Sequence, residues 1–251
     1  MNSIKPIIPR SIPRKHAICG FTTRYGGVSP PPFDSLNLGL DTPDDPLHVR
    51  ENHSIFYRYA GVDDAHTATM KQVHGENVVI VRKGGIYPAT DGLITSLCDV
   101  LLAVRVADCI PLLLFDPAHE VAGAIHCGWR SIAAGIAEKA LSKMKKYKGT
   151  RPEDVMAVLG PSAGSCCYEI GKDTAEYFQP ASLINRDEKI YGNLKAELSH
   201  HLLIAGLRSC NIEIISDCTI CNESLYFSHR RNGLYSGRML GYIMIKRKEN
   251  L

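Results

Sequence analysis

The chain reads as an α+β protein, a layered sandwich of mixed, largely antiparallel sheets with flanking helices. Three observations predict this class. Apolar strand-like runs follow one another too closely for crossover helices to fit between them. Helical periodicity is confined to separate stretches. Gly, Pro and Asp-Pro turn signals mark the boundaries.

In chain order, the opening stretch is rich in turn formers: Gly26-Gly27, Ser29-Pro30-Pro31-Pro32 and Asn37-Leu38-Gly39. A helix is predicted over residues 45–60, stopped at Gly61. Strands are predicted at 78–81 and 92–95. Runs at 100–106, 111–115 and 121–126 read as an antiparallel meander, with Asp116-Pro117 at the second turn. A helix is predicted to start near Ser131, a good N-cap, with Ile132, Ile136, Ala140 and Met144 as one buried stripe. Its basic end at 143–148 suits a helix C-terminus. A strand at 155–159 is broken by Gly160-Pro161-Ser162-Ala163-Gly164. Helices around 172–178 and 194–207, and strands at 212–215 and 242–246, complete the reading.

A chain of 251 residues, 45% of them hydrophobic, can bury a substantial core, and one domain over 1–251 is expected. A formal charge of +3 gives no reason to expect nucleic acid as a partner. No apolar run approaches the roughly 20 residues needed to span a bilayer. The N-terminal stretch lacks the apolar core of a secretion signal, so a cytoplasmic protein is expected. Nine cysteines in such a chain read as thiols rather than disulfides.

The chemistry is expected at one rim of the meander. Its first strand runs to that rim, where Cys109 sits in the loop. The third strand returns to it and ends at His126. The two residues are therefore expected within one or two strand spacings of roughly 5 Å each. His74, just before the strand at 78, can stand on the same rim. Thiolate and imidazole are preferred zinc ligands, and three protein ligands leave a fourth tetrahedral place open. Singly, each residue also admits a plainer role: a lone histidine as a packed or surface residue, a lone cysteine as core filling.

The surrounding words sharpen this. Thr23-Arg24-Tyr25-Gly26-Gly27-Val28-Ser29 is followed by Ser35-Leu36-Asn37-Leu38-Gly39, Lys71-Gln72-Val73-His74-Gly75 and Ala107-Asp108-Cys109-Ile110-Pro111. Then come His126-Cys127-Gly128-Trp129-Arg130, Gly160-Pro161-Ser162, Cys167-Tyr168-Glu169, Ser228-His229-Arg230-Arg231 and Gly237-Arg238. From about Gly20 to Arg238 this series closely resembles the YfiH family, whose members were long described as laccase-like polyphenol oxidases and are now described as purine nucleoside phosphorylases. The resemblance implies a single-domain layered sandwich and zinc held by His74, Cys109 and His126. It implies phosphorolysis of adenosine, guanosine, inosine and methylthioadenosine by inorganic phosphate, with hydrolytic deamination of adenosine as a further activity. Three positions depart from the family pattern: Ser131 stands where glycine is common, Ala163 for isoleucine and His229 for tyrosine. None removes a proposed ligand.

Phosphate is best held by arginine forks or exposed backbone amides. Arg24, Lys71, Arg130, Arg230, Arg231 and Arg238 are the candidate substrate-binding residues, and the glycine-bounded loop at 160–164 is a candidate phosphate cradle. Asp108 is a candidate proton carrier; its plainer role is bonding to local backbone. Cys218-Thr219-Ile220-Cys221 is a lone Cys-x-x-Cys, and with no second such pair in the chain it reads as packing, as do Cys166 and Cys167.

Three rival readings share these residues. Cys109 and His126 can be the nucleophile and base of a cysteine hydrolase. Copper can replace zinc in a phenol oxidase, although the sole adjacent histidine pair, His200-His201, falls mid-helix where its side chains diverge. Zinc can be purely structural, which needs a fourth ligand. Cys127 is a poor one, because successive side chains on a strand point apart.

Overall fold

The computed structural model describes residues 3–247, so the extreme ends of the expected 1–251 domain lie outside the described residues. Two large sheets pack face to face with helices on both outer sides. The strands are β1 (Ala17–Phe21), β2 (Thr67–Met70), β3 (Val78–Ile80), β4 (Gly85–Tyr87), β5 (Gly92–Thr95), β6 (Leu101–Val106) and β7 (Ile110–Asp116). They continue with β8 (Val121–Cys127), β9 (Met156–Leu159), β10 (Glu169–Ile170), β11 (Leu183–Arg186), β12 (Lys189–Gly192), β13 (Ile212–Ile214) and β14 (Met239–Ile245). The helices are α1 (Pro46–Ala60), α2 (Trp129–Ala133), α3 (Ile136–Lys148), α4 (Lys172–Ala175), α5 (Leu194–Ile204) and α6 (His229–Asn232).

One sheet has the order β1-β14-β6-β2-β4 and the other β13-β9-β7-β8-β5-β3, with a small β10-β12-β11 sheet beside them. Most neighbours are antiparallel; β2 with β4 and β6, β3 with β5, and β13 with β9 are parallel. The expected class, a layered sandwich of mixed and largely antiparallel sheets, is what the chain adopts.

The layers follow from period-two alternation. Along β7, Ile110, Leu112 and Leu114 join the core beneath α3 and α5, whereas Leu113 and Phe115 join the core between the sheets. On the other outer face, Leu101, Ala103, Leu240 and Tyr242 pack against Phe56 and Ala60 of α1. At roughly 25 cal/mol per Å² of buried apolar surface, these cores are the main favourable term in folding.

α1 is closed as its sequence dictates. Asp45 accepts from the Leu47 amide, Pro46 sits in the first turn, and Gly61 ends the helix at φ 69°.

Three expectations need correction. The three-strand meander is not one sheet: β6 pairs with β14 and β2, while β7 pairs with β8 and β9, so the chain changes sheet at residues 107–109. The helix expected from Ser131 is two helices. Gly135 at φ 78° separates them, and the first begins at Trp129 with Gly128 as its N-cap, leaving Ser131 inside it and buried. The stripe of Ile132, Ile136, Ala140 and Met144 is nonetheless buried as expected. The helix expected at 172–178 stops at Ala175. Among the described residues no helix is long and apolar enough to cross a membrane.

Candidate metal centre and its cavity

His74, Cys109 and His126 converge. One donor atom from each lies within 4.8 Å of the others. Cys109 Sγ stands 3.9 Å from His74 Nε2, and the two imidazole rings meet edge to face with centroids 4.7 Å apart. Each donor arrives by a different route. His74 lies on the turn after β2 in a left-handed conformation, φ 57°. Cys109 sits where the chain changes sheet, next to Asp108 at φ 87°. His126 is the penultimate residue of β8, on the face shared by Ala122 and Ala124, toward the inter-sheet core. Cys127 points the other way, into the core under α3. Burial drives its thiol pKa well above the ordinary value.

A non-glycine residue at positive φ costs on the order of 1 kcal/mol or more, so its neighbours must hold it there. For His74 the holder is Asp91. This fully buried carboxylate accepts from the amides of Val73, His74 and Gly75 at 3.1, 3.0 and 2.8 Å, and from His126 Nδ1 at 2.8 Å. It thereby fixes the turn and aims His126 Nε2 at the other donors. Burial acts to raise the Asp91 pKa, but the His126 and Gly75 hydrogen bonds outweigh it and hold the group ionised. The Cys109 thiol is lowered despite its burial, and the His126 imidazole raised despite its own, because each stabilises the other's charge. Gly128 completes the fit: a Cβ there would stand 3.1 Å from both Cys109 Sγ and His74 Cδ2.

The trio opens on a cavity of about 510 Å³, within the roughly 300–1,000 Å³ typical of small-molecule sites. Arg105, Arg130, Arg230 and Arg238 line it, with Trp129, Tyr168 and His229. Arg130 lies over the Trp129 ring at 4.2 Å and Arg230 over the Tyr168 ring at 4.9 Å. Arg230 Nη1 donates to the Glu169 carbonyl and Arg238 Nη1 to the carbonyls of Ser236 and Gly237.

The other candidates lie elsewhere. Arg24 donates to the Asp34 carbonyl and carboxylate and to the Glu223 carbonyl, and stacks on Phe227 outside the cavity lining. Arg231 donates to the carbonyls of Thr219, Ile220 and Tyr226. Lys71 is exposed and outside the lining. Asp108 accepts from Thr219 Oγ1, Ser228 Oγ and the Arg230 amide, so it ties loops together rather than presenting a vacant carboxylate. The loop at 160–164 is no phosphate cradle: the amides of Gly160, Ser162, Ala163 and Gly164 all donate internally, and Pro161 has none.

Sequence reasoning missed Asp91 and Arg105. Arg105 is anchored on Thr69 Oγ1 and the Met70 carbonyl. A lone charged residue in an otherwise apolar strand was its only signal.

Fold and site together define a protein with a potential metal centre beside a small-molecule cavity. The family described as multi-copper polyphenol oxidoreductase laccase matches residues 18–246. The chain is 33% identical over 245 residues to a protein of Geobacillus stearothermophilus named purine nucleoside phosphorylase YlmD, covering 90% of this chain and 89% of that one. It is 35% identical over 233 residues to a Deinococcus radiodurans protein named purine nucleoside phosphorylase, with coverages of 91% and 89%. The crystal structure of a Bacillus licheniformis hypothetical protein YfiH superposes with a TM-score of 0.88 at 32% identity, over 92% of this chain and 93% of that chain. The chain belongs to the YfiH family.

Proposed function

We propose that this chain is a zinc-dependent purine nucleoside phosphorylase, with His74, Cys109 and His126 as metal ligands. The observation that carries the reading is that the donor trio and four arginines line one cavity. Relatives bearing the phosphorylase name support it.

The donor set fits the ion. One thiolate and two imidazoles with an open fourth place are a catalytic zinc arrangement, and Gly128 keeps the space between the donors clear. When bound, zinc supplies Lewis-acid stabilisation of developing charge. The remaining work falls to the protein.

In phosphorolysis a phosphate oxygen bonds to the ribose C1′ while the bond from C1′ to the purine nitrogen breaks. The electron pair passes to the purine, which takes up a proton. Arg130, Arg230 and Arg238 hold the phosphate dianion by charge-assisted hydrogen bonds, joined by Arg105. His229 lines the same cavity and is the residue we assign to deliver the proton. Asp91 holds the donor geometry. The substrates are adenosine, guanosine, inosine and methylthioadenosine, and adenosine is also deaminated. The protein works as one domain, in the cytoplasm.

The test is purine release from inosine and adenosine with and without phosphate, coupled to elemental analysis. Release that depends on both phosphate and bound zinc is expected. Activity that survives full chelation would sink the reading and favour the rival that the lowered Cys109 thiol beside His126 also suits, a cysteine hydrolase. Bound copper with turnover of phenols would favour the oxidase.

A further inference from the structure

Outside the cavity a second group of metal-binding side chains comes together. Cys166 and Cys167 precede β10, and Cys218 and Cys221 lie some 50 residues on, yet all four sulfurs stand within 4.8 Å of one another. Cys166 Sγ and Cys221 Sγ are 3.8 Å apart. That is far beyond the roughly 2.05 Å of a disulfide. It matches the edge of a tetrahedron of sulfurs around one ion at a metal–sulfur distance of about 2.3 Å, which is also roughly 3.8 Å.

The backbone is arranged for the same purpose. The segment from Cys218 to Cys221 turns back toward the 160–167 loop: the amide of Gly164 donates to Cys218 Sγ at 3.2 Å, and the Thr219 amide donates to the Ser162 carbonyl. An amide donor to sulfur favours thiolate over thiol. A Cβ on Gly164 would stand 3.2 Å from Cys166 Sγ and 3.3 Å from Cys218 Sγ, so this glycine leaves the space around the sulfurs clear. Positive charge surrounds the cluster. Lys195 is buried and donates to the carbonyl of Asp217, the residue before Cys218, at 2.8 Å. Arg186 donates to the Cys166 carbonyl at 3.1 Å, and Arg231 to the carbonyls of Thr219 and Ile220 at 2.9 and 2.7 Å. Four thiolates around a divalent ion carry a net double negative charge, which these cations offset.

We propose that Cys166, Cys167, Cys218 and Cys221 form a second metal site, a closed four-thiolate site that takes one thiophilic divalent cation of the zinc type. Closed sites of this composition are structural. This one joins the loop bearing Tyr168 to the segment that leads to His229 and Arg230, so it braces one side of the cavity. It is independent of the donor trio and of the phosphorylase reading.

The test counts zinc in intact chain prepared reduced and metal-free, reloaded with zinc and desalted. The His126→Ala variant, with the first centre disabled, is expected to keep about one zinc per chain, and adding Cys166→Ser and Cys221→Ser to lose it. Both substituted cysteines are exposed, and circular dichroism checks that the fold is kept. Should His126→Ala fail to fold, the unaltered chain gives the same answer by mass spectrometry: zinc is expected to slow alkylation of these four cysteines at least tenfold. If wild type and His126→Ala each hold about one zinc, the four-cysteine site stands and the donor trio is what fails. Two results overturn the proposal: a folded His126→Ala variant that binds no zinc, or a persistent disulfide among the four cysteines in the chain as isolated.

Discussion

Asp91 accepts a hydrogen bond from His126 Nδ1 at 2.8 Å while holding the backbone amide of His74 at 3.0 Å. One carboxylate thus orients two of the three donors, although neither lies near it in sequence. An asparagine in its place keeps the shape but cannot accept from all four donors. Asp91→Asn is expected to weaken zinc binding about 10–100-fold, the usual cost of losing a group that orients a ligand. Competition against a chromophoric chelator measures this, and unchanged affinity would show that Asp91 has no such role.

Gly128→Ala probes the centre sterically. The backbone at Gly128 has φ −80°, which alanine adopts without strain, so the only insult is the added methyl 3.1 Å from Cys109 Sγ and His74 Cδ2. Metal affinity and phosphorolysis are expected to fall together, with the melting temperature falling far less. Wild-type metal content and turnover in this variant would contradict the donor geometry.

The arginines separate into two groups. Arg130→Ala, Arg230→Ala and Arg238→Ala are expected to raise the KM for phosphate about tenfold or more, the effect of one lost charge-assisted hydrogen bond. Arg24→Ala removes bonds to Asp34 and Glu223 instead. It is expected to cost about 1–3 kcal/mol of stability with little change in that KM. Phosphate titrations beside urea melts distinguish the two, and a large KM effect from Arg24→Ala would undo the division.

A pH dependence of stability follows from the contact between α3 and α5. His201 Nδ1 meets Glu138 Oε1 at 2.6 Å, with Glu197 at 3.5 Å from Nε2. The Glu138 bond raises the His201 pKa against the opposing effect of burial. Glu138 is lowered by His201 against its own burial. A raised histidine stabilises fully below its unfolded value near 6.5 and loses that contribution as pH climbs through the folded value. A lowered glutamate stabilises above its unfolded value near 4.5 and loses this as pH drops through the folded value. The stability gap between wild type and His201→Gln is therefore expected to be wider at pH 6 than at pH 8.5. Chemical melts at the two values decide, and an equal gap would remove the pair from the account.

What the sequence made legible, and what it hid, has a physical pattern. Runs whose apolar residues recur locally, such as β7, β8 and the α3 stripe, announced themselves because their signal lies within a dozen residues. The donor trio was found through family words and one topological step. That step holds for β7 and β8, where Pro111 pairs with His126, although β6 belongs to the other sheet. Sheet membership depends on long-range pairing, which no local period encodes. Asp91 looked like any turn aspartate between Thr90 and Gly92, since its partners come from two distant segments. The loop at 160–164 had the composition of an anion nest, but its amides are satisfied by residues as remote as Asp108 and Asp217. The two cysteine pairs were each unremarkable until the fold set them side by side.

The step of the chain from one sheet to the other at residues 107–109 reaches beyond topology. His74 hangs from the layer of β2, His126 from the layer of β8, and Cys109 from the hinge line between them. The span of the donor triangle is thus tied to the thickness of the filling between the leaves, built by Val104, Leu113, Phe115 and Ala124. Shaving or fattening one of those side chains, well away from any ligand, is expected to shift the donor spacing as a shim shifts a lens mount.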